Sequence, residues 1–377
     1  MSPVGRKAYT LGAPAMKLFG RTWDRRSLLA RVGDLRQIGG AVPITLQDGP
    51  ERGVRAIDVR TGTGFRFVVL PDRGLDVWMA EYQGASLAWL SPTGPLHPAF
   101  FEPEGLGWLR GFAGGLSVTC GLTYLGPPHV DQGRALGLHG RASYLPAREV
   151  AVLENWEGDD YRIEIRGRIR EAAVFGEHVT LTRRLSTALG ENRLFLEDTV
   201  ENLGAEPVPH MVLYHVNGGF PLLDETAELL TASSEVRPAN AVSEREPGDF
   251  ARFLPPSPGY PERLYFHTLR AGPDGRTAVA LVNRGFQGGR GLGYLLRFPV
   301  SALPCFTEWK MMGPGTYVVG TEPGNVHPVP RERLRREGTL PFLAPGERRR
   351  YEIEFRVLAS PEEIGAAEAE IRSLDSS

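Results

Sequence analysis

The sequence predicts a large all-β protein, and three observations support this. Short apolar runs, many with alternating apolar and polar residues, recur through most of the 377 residues. Turn-forming residues separate these runs, since 46 glycines and 31 prolines are spread along the chain. Neither a repeat at a fixed period of roughly 20–50 residues nor a break in composition divides the chain. We therefore predict a single β-sandwich domain over residues 1–377, because large all-β folds often exceed the usual domain length.

Both ends of the chain carry helical signals. The first 60 residues mix turns with a helix predicted at residues 24–32, where Asp24 is the expected N-cap. We expect residues 1–60 to form an N-terminal extension packed on the β domain. A C-terminal helix is predicted over residues 360–374, where Ser360 is the N-cap, a proline follows it, and a glutamate completes a capping box.

The clearest strand signal covers residues 161–170. Its odd positions are apolar or glycine and its even positions are charged, which is typical of a strand with one face in water. Further strands are predicted at residues 54–59, 65–70, 75–80, 86–90, 179–185, 194–200, 209–215, 277–282, 293–298, 305–312 and 351–357. Residues 236–262 are expected to be a loop. Residues 91–140 are rich in proline and aromatic residues, and such a long irregular segment is more often a binding surface than a linker.

Composition excludes several functional classes. The formal net charge is −2 with acidic and basic residues interspersed, so no nucleic-acid or anionic-membrane surface is indicated. No apolar run reaches the roughly 18 residues of a membrane span, and the N-terminus lacks the apolar segment of a secretory signal. The only cysteines, Cys120 and Cys305, are too few for a zinc site of three or four thiolates and are expected to be buried. We therefore expect a cytoplasmic protein with no nucleic-acid or membrane partner.

Three polar side chains stand out as candidates for chemistry. An apolar run at residues 209–213 leads into Tyr-His-Val-Asn-Gly-Gly, which places His215 at the end of a strand before a flexible turn. Imidazole exchanges protons readily near neutral pH, so His215 could act as an acid or a base. His139 and Glu322, each beside glycine or proline, are its candidate partners, and Glu308 is a rival to Glu322. From the residues alone, each of them could equally be structural.

The order of these landmarks resembles that of the aldose 1-epimerase (galactose mutarotase-like) superfamily. Its members carry a Leu-His-Gly segment, here residues 138–140, and then an asparagine turn, here residues 199–204, before a strand that ends in a second histidine. A glutamate followed by a polar loop with proline comes next, here Glu322, and a Pro-Gly-Glu turn at residues 345–347 precedes the last strand. The resemblance covers about residues 60–358 and implies a β-supersandwich with a few short helices.

The sequence departs from the superfamily pattern at two points. The usual His-Gly-Gly is His-Gly-Arg here, and Val216 replaces the aromatic residue after the second histidine. These differences indicate a less characterised branch and leave the substrate open: a free hexose, a phosphorylated or sulfonated sugar, or an acidic sugar.

The resemblance implies anomer interconversion by acid–base catalysis without a cofactor. Glu322 would remove the proton of the anomeric hydroxyl and His215 would protonate the ring oxygen from the opposite side of the sugar, each transfer contributing roughly 10²–10⁴-fold. His139 would hydrogen-bond near the ring oxygen. The candidate substrate-binding residues are Arg110, Arg141, Asp224, Trp108, Trp309 and Asn217. Asp224 could instead cap a turn, and Trp309 could belong to the core.

Two other functions remain open at this point. His139, His215, Glu322 and His327 could form the metal site of a sugar isomerase, since transition metals accept imidazole and carboxylate ligands. Alternatively, the chain could bind a carbohydrate without catalysis, which the His-Gly-Arg departure favours and the presence of both histidines and Glu322 argues against. An exposed edge strand could also pair two chains, so a homodimer is a further expectation.

Overall fold

In the computed structural model, which describes residues 16–245 and 248–374, the chain folds mainly into antiparallel β-sheets. The strands in chain order are β1 (Lys17–Leu18), β2 (Arg21–Thr22), β3 (Gly40–Thr45), β4 (Arg55–Arg60), β5 (Phe65–Leu70), β6 (Asp76–Tyr82), β7 (Ala85–Ser86), β8 (Val118–Leu122), β9 (His129–Asp131), β10 (Arg134–Leu136), β11 (Arg148–Glu157), β12 (Asp160–Ala172), β13 (His178–Ala188), β14 (Arg193–Asn202), β15 (Val208–Pro209), β16 (Met211–Gly219), β17 (Ala227–Thr231), β18 (Ser233–Pro238), β19 (Arg263–Leu269), β20 (Arg276–Asn283), β21 (Leu292–Pro299), β22 (Cys305–Gly313), β23 (Thr316–Gly324), β24 (Phe342–Leu343) and β25 (Arg348–Leu358). The α-helices are α1 (Arg25–Leu29), α2 (Phe286–Gly289), α3 (Arg331–Arg336) and α4 (Pro361–Leu374). Short 3-10 helices lie at Leu35–Gln37, Gly49–Glu51, Pro98–Phe100, Gly107–Gly111, Ala142–Tyr144 and Ser243–Arg245. The all-β prediction is confirmed.

Three large sheets contain most of these strands. Their strand orders are β11-β12-β13-β14-β25-β21-β20-β17, β18-β19-β22-β23-β16-β8 and β3-β4-β5-β6-β7. The pattern predicted for residues 161–170 appears in β12, where Ile163, Ile165 and Ile169 are buried while the arginines between them face solvent. This alternation gives the eight-stranded sheet an apolar face that must pack against other elements.

The main hydrophobic core lies between the eight-stranded and six-stranded sheets and extends onto the five-stranded one. Phe298 of β21 and Phe306 of β22 approach to 6.5 Å between ring centroids across this space. The core also encloses charges: Arg183 of β13 donates to Asp198 of β14 at 2.7 Å and to Asp76 of β6 at 2.8 Å. Buried charges need such partners, so this ionic group joins the five-stranded sheet to the eight-stranded one.

The N-terminal boundary differs from the prediction. Residues 1–15 lie outside the described part of the chain, and α1 is capped as predicted, with Asp24 Oδ1 accepting from Ser27 N at 2.7 Å. However, β3 and β4 belong to the five-stranded sheet, so residues 40–60 are integral to it rather than an extension. Sequence patterns missed β3 because it is an edge strand whose second half is exposed, and edges tolerate Pro43.

The predicted C-terminal helix is confirmed as α4. Glu363 N donates to Ser360 Oγ, and Glu363 Oε2 accepts from Ala359 N at 2.7 Å, so the capping glutamate closes the helix start. Ile364 and Ile371 pack on the outer face of β20 and β21. In the described part of the chain, none of the helices is both long and apolar enough to cross a membrane.

Candidate active site

Strand register in the six-stranded sheet places His215 next to Glu322. β16 and β23 pair Leu213 with Gly324 and Val216 with Thr321, so the intervening His215 and Glu322 lie opposite each other. β22 places Thr307 opposite Glu322. Directly opposite residues share a face of an antiparallel sheet, so this row lies on one face, which we call the site face. The other face of the same sheet packs into the main core.

Glu322 lies inside β23 rather than in the loop that the Pro-Gly sequence predicted. Its neighbour Pro323 is opposite Phe306 of β22, so the strand continues through the proline. The strand position fixes the carboxylate more rigidly than a loop would.

His215 and Glu322 are in direct contact, with 3.2 Å between Nε2 and Oε1. Only 4% of His215 and 2% of Glu322 is exposed. Burial lowers the pKa of His215 to about 3, with a smaller contribution from His139. Burial also raises the pKa of Glu322 well above its usual range, and the carboxyls of Glu262 and Glu308 add to this shift. The pair therefore favours a neutral imidazole beside a protonated carboxyl.

His139 is the third member of this cluster. Its ring lies 5.9 Å from that of His215, at right angles to it. His139 has a φ of 54° and Gly140 a φ of 78°, and a Cβ at position 140 would lie 2.4 Å from Gly121 O, so glycine is required there. Burial lowers the pKa of His139 to about 4. Among the described residues its Nδ1 has no hydrogen-bond partner, which leaves the ring able to bind a ligand.

Aromatic rings surround the two imidazoles. Phe112 and Trp309 lie 5.2 Å and 5.3 Å from His215, and Trp108 lies 4.9 Å from His139. Trp89 contacts both Phe112 and Trp309. Trp309 and Trp89 are partly exposed, whereas Trp108 is buried behind His139. The exposed rings are therefore better placed than Trp108 to meet the apolar face of a sugar.

The remaining predicted substrate-binding residues have different surroundings. Arg110 is largely exposed and forms an ion pair with Glu102 at 3.2 Å. Arg141 is half-buried, and its Nε has no partner among the described side chains and carbonyls. Asn217 is fully buried, and its amide donates to Gly115 O and His215 O, both at 2.9 Å. Asn217 thus supports the strand end that carries His215.

Asp224 is not brought into this cluster by any contact that the structure shows. Its Oδ1 accepts from both the main-chain nitrogen and the hydroxyl of Thr226, each at 2.7 Å. This is the turn-capping arrangement that the sequence left open as the alternative for Asp224.

Two other side chains considered from the sequence have different surroundings from His215 and Glu322. Glu308 is on the core face of β22, opposite Thr321, so it cannot replace Glu322 on the site face. His327 stacks on Phe266 at 3.9 Å, and its Nδ1 lies 3.0 Å from Thr307 Oγ1. Within residues 16–245 and 248–374, no group of three or more histidine, cysteine or acidic side chains is arranged to hold a metal ion.

Sequence reasoning missed three neighbours of the site: Trp89, Phe112 and Glu262. Glu262 Oε2 accepts from Trp309 Nε1 at 2.9 Å, which places a carboxylate beside the exposed indole. Phe112 lies within the aromatic loop that the sequence marked as a binding surface, but nothing in the pattern singled it out. Glu262 lies in a loop with no local signal at all.

Residues 51–357 match the model of a protein family described as a domain of unknown function, DUF4432. This chain belongs to that family. Among curated proteins, none matches this DUF4432 chain significantly.

Solved structures give a clearer comparison. A Klebsiella pneumoniae protein provisionally assigned as an aldose 1-epimerase shares 25% identity and a TM-score of 0.84 with this DUF4432 protein, over 90% of this chain and 92% of that one. A galactose mutarotase-like protein of Clostridium acetobutylicum has 13% identity and a TM-score of 0.57, over 86% and 99% of the chains. Galactose 1-epimerase of Lactobacillus acidophilus has 10% identity and a TM-score of 0.54, over 85% and 99%. The predicted aldose 1-epimerase-like (galactose mutarotase-like) superfamily and its fold are confirmed.

Proposed function

We propose that this protein is an aldose 1-epimerase-type isomerase that interconverts the anomers of an aldose or aldose derivative. The observation that carries the proposal is the contact of 3.2 Å between His215 and Glu322 on the site face, beside His139. An acid and a base in contact with each other, with hydrogen-bonding capacity left for a ligand, provide what anomer interconversion needs. The similarity to the Klebsiella pneumoniae protein supports the same reaction class.

The proposed reaction moves two protons. One group takes the proton of the anomeric hydroxyl while the other gives a proton to the ring oxygen. The bond between the anomeric carbon and the ring oxygen breaks, and a carbonyl forms at the anomeric carbon. Rotation about the neighbouring carbon–carbon bond, followed by the reverse proton transfers, gives the other anomer. Protons and electrons balance within the sugar and the two side chains, so the chemistry calls for no redox partner.

The side-by-side arrangement differs from the expectation that acid and base lie on opposite sides of the sugar. The anomeric hydroxyl oxygen and the ring oxygen are both bonded to the anomeric carbon. A neighbouring acid and base can therefore serve both oxygens from one side of the ring. His139 is placed to hydrogen-bond a sugar oxygen, since its ring lies beside that of His215.

The resting protonation state affects the assignment of roles. Burial favours the proton on Glu322 and a neutral His215. In that form Glu322 is the proton donor and His215 the acceptor, the reverse of the roles that the resemblance implies. A proton shift across the 3.2 Å contact converts one assignment into the other, so the essential property is that the pair carries one transferable proton.

The proposal is tested by NMR anomer exchange with a panel of neutral aldoses, sugar acids and sugar phosphates. We expect one class of sugar to show accelerated anomer exchange with the parent protein. The acceleration should be lost in Glu322→Gln and in His215→Asn. The matched control is Glu308→Gln, a buried glutamate on the core face of the same sheet, which should retain the activity. Accelerated exchange that survives both site variants would refute the assigned residues. Saturable binding of a sugar with no acceleration would instead support a carbohydrate-binding protein.

A further inference from the structure

Arg73 is a buried arginine, and each of its three guanidinium nitrogens donates to a main-chain carbonyl. Only 4% of the residue is exposed, and burial lowers its pKa. Its Nε donates to Ser143 O at 2.9 Å, Nη1 to Leu96 O at 2.9 Å and Nη2 to Gly111 O at 2.8 Å. By contrast, the equally buried Arg183 donates to two carboxylates. Enclosing a guanidinium without a directly bonded carboxylate is costly, so the three carbonyl contacts need an explanation.

The three carbonyls belong to three separate segments around the candidate site. Gly111 ends the 3-10 helix that carries Trp108, and Ser143 lies in the 3-10 helix that follows His139. Leu96 lies in the loop after Trp89. None of the three carbonyls lies in a named strand, so Arg73 provides fixed hydrogen bonds to segments that lack the regular pairing of a sheet.

Tyr144 links Arg73 to the 3-10 helix that carries Trp108. The Arg73 guanidinium carbon lies 4.3 Å from the centre of the Tyr144 ring, and the Tyr144 hydroxyl donates to Trp108 O at 2.5 Å. Phe101 stacks on the other side of the ring at 4.1 Å. A Cβ at Gly111 would lie 2.8 Å from the Tyr144 hydroxyl, so the packing at this point leaves no room for change.

From these segments the contacts reach both imidazoles. Trp108 packs against His139, and Phe112, which follows Gly111, packs against His215. Arg73, Trp108 and Phe112 line a cavity of about 20 Å³, which has room for about one water molecule.

The turn that carries Arg73 is itself fixed at both ends. Asp72 accepts from the main-chain nitrogen of Arg55 and from its guanidinium. Asp76 accepts from Thr119 and from Arg183 in the buried ionic group. The turn that carries the guanidinium is thus held in place from the sheet side.

We propose that Arg73 is a positioning residue, whose guanidinium fixes the loops of Leu96, Gly111 and Ser143 and thereby sets the places of His139 and His215. Each of its three nitrogens already donates to a main-chain carbonyl, so we do not assign it a contact with the substrate. The part of this inference that concerns activity rests on the proposed function. The part that concerns loop order does not.

The test compares Arg73→Lys with Arg297→Lys. Lysine keeps the charge, but its ammonium group cannot reproduce the planar arrangement of the three guanidinium nitrogens that donate to the carbonyls. Arg297 is a matched arginine on β21 that holds Glu354 and Glu370 on the far side of the eight-stranded sheet. Hydrogen exchange should rise by tenfold or more in residues 94–112 and 139–145 of Arg73→Lys. In Arg297→Lys it should rise around α4 instead.

Activity gives the second readout. Arg73→Lys should lower kcat at least tenfold with whichever sugar the NMR panel identifies as a substrate, whereas Arg297→Lys should retain the parent kcat. Tyr144→Phe removes the hydroxyl that donates to Trp108 O, and it should raise hydrogen exchange in the same residues to a smaller degree. It replaces Arg73→Lys if that variant does not fold. Unchanged exchange in residues 94–112 and 139–145 would overturn the proposal. If no sugar is turned over, the proposed function is wrong. The hydrogen-exchange result still decides whether Arg73 positions the loops.

Discussion

The six-stranded sheet carries a histidine–glutamate pair on each of its faces. On the site face, His215 Nε2 lies 3.2 Å from Glu322 Oε1, and on the core face, His267 Nε2 lies 3.3 Å from Glu308 Oε2. All four side chains are buried, and burial shifts their pKa values in the same directions: both histidines to about 3 and both glutamates well above their usual range.

The two pairs differ in what else their atoms bind. His267 Nδ1 lies 2.9 Å from Ser233 Oγ, and Lys310 lies close enough to Glu308 to influence its pKa. On the site face, by contrast, His215 Nδ1 has no partner among the described residues, and His139 and two half-exposed indoles are near. A short contact and a shifted pKa follow from burial alone. An atom without a partner is not distinctive by itself, since Glu308 Oε1 on the core face also has none among the described residues. The candidate site differs because its free atoms lie beside partly exposed aromatic rings.

The largest expected effect is on activity and separates the two pairs. Glu322→Gln should lower kcat by about 10²–10⁴-fold because one proton transfer is lost. Glu308→Gln should leave kcat near the parent value, since Glu308 lies on the core face. Steady-state kinetics and circular dichroism on both variants check this. A comparable loss of kcat in folded Glu308→Gln would mean that activity does not distinguish the site-face pair from the core-face pair.

The pH dependence of kcat/KM is the next expectation. If the active form carries one proton shared by His215 and Glu322, activity falls on the acid side only near pH 3, where His215 becomes protonated. It falls on the alkaline side where Glu322 loses its proton, above the usual range of a carboxyl. A pH–rate profile with unfolding followed in parallel measures both limbs. If the two limbs of the pH–rate profile fall at the ordinary pKa values of glutamate and histidine, burial does not shift the pKa values of Glu322 and His215.

The free energy of unfolding should depend more on the core-face pair than on the site-face pair, which is the reverse of the effect on activity. His267→Ala leaves Ser233 and Glu308 without their partner in the core and should lower the free energy of unfolding by about 3 kcal/mol. His215→Ala should cost less, about 1–2 kcal/mol, because its Nδ1 has no protein partner to lose. Urea unfolding of both variants gives the difference. Equal costs would mean that the site face is as tightly bonded as the core.

The smallest effect concerns Asp224, which is outside both pairs. Asp224→Ala removes the two bonds to Thr226 and should lower the free energy of unfolding by about 0.5–1 kcal/mol. KM should stay unchanged if Asp224 only caps its turn. A KM raised tenfold would restore the predicted role in hydroxyl recognition and extend the site beyond the two imidazoles.

The sequence predicted the strands with strong alternation, because that pattern follows directly from one buried and one exposed face. β12 and β14 are examples. It missed β11, whose side chains are mostly exposed or half-buried, so no apolar pattern marks it. It also missed β23 as the place of Glu322, because proline and glycine usually signal a turn.

The site was predicted in part. Histidine and glutamate in the right chain order indicated His139, His215 and Glu322 through resemblance, and the structure places these three together. The contributions of Trp89 and Glu262 depend on how distant loops fold over the sheet, which no local pattern encodes. No local pattern indicated the contacts of Arg73, because its carbonyl partners are far away in the sequence.

The place of β25 has a consequence for how the protein is made. This last strand lies between β14 and β21, with Leu196 opposite Ile353 and Leu296 opposite Phe355. Until it emerges from the ribosome, both neighbours present unpaired edges, which are prone to aggregation. Contacts between such distant parts of a chain also form slowly. Deleting the chain from Arg348 onward would remove none of the three candidate site side chains, yet it would divide the eight-stranded sheet into two parts.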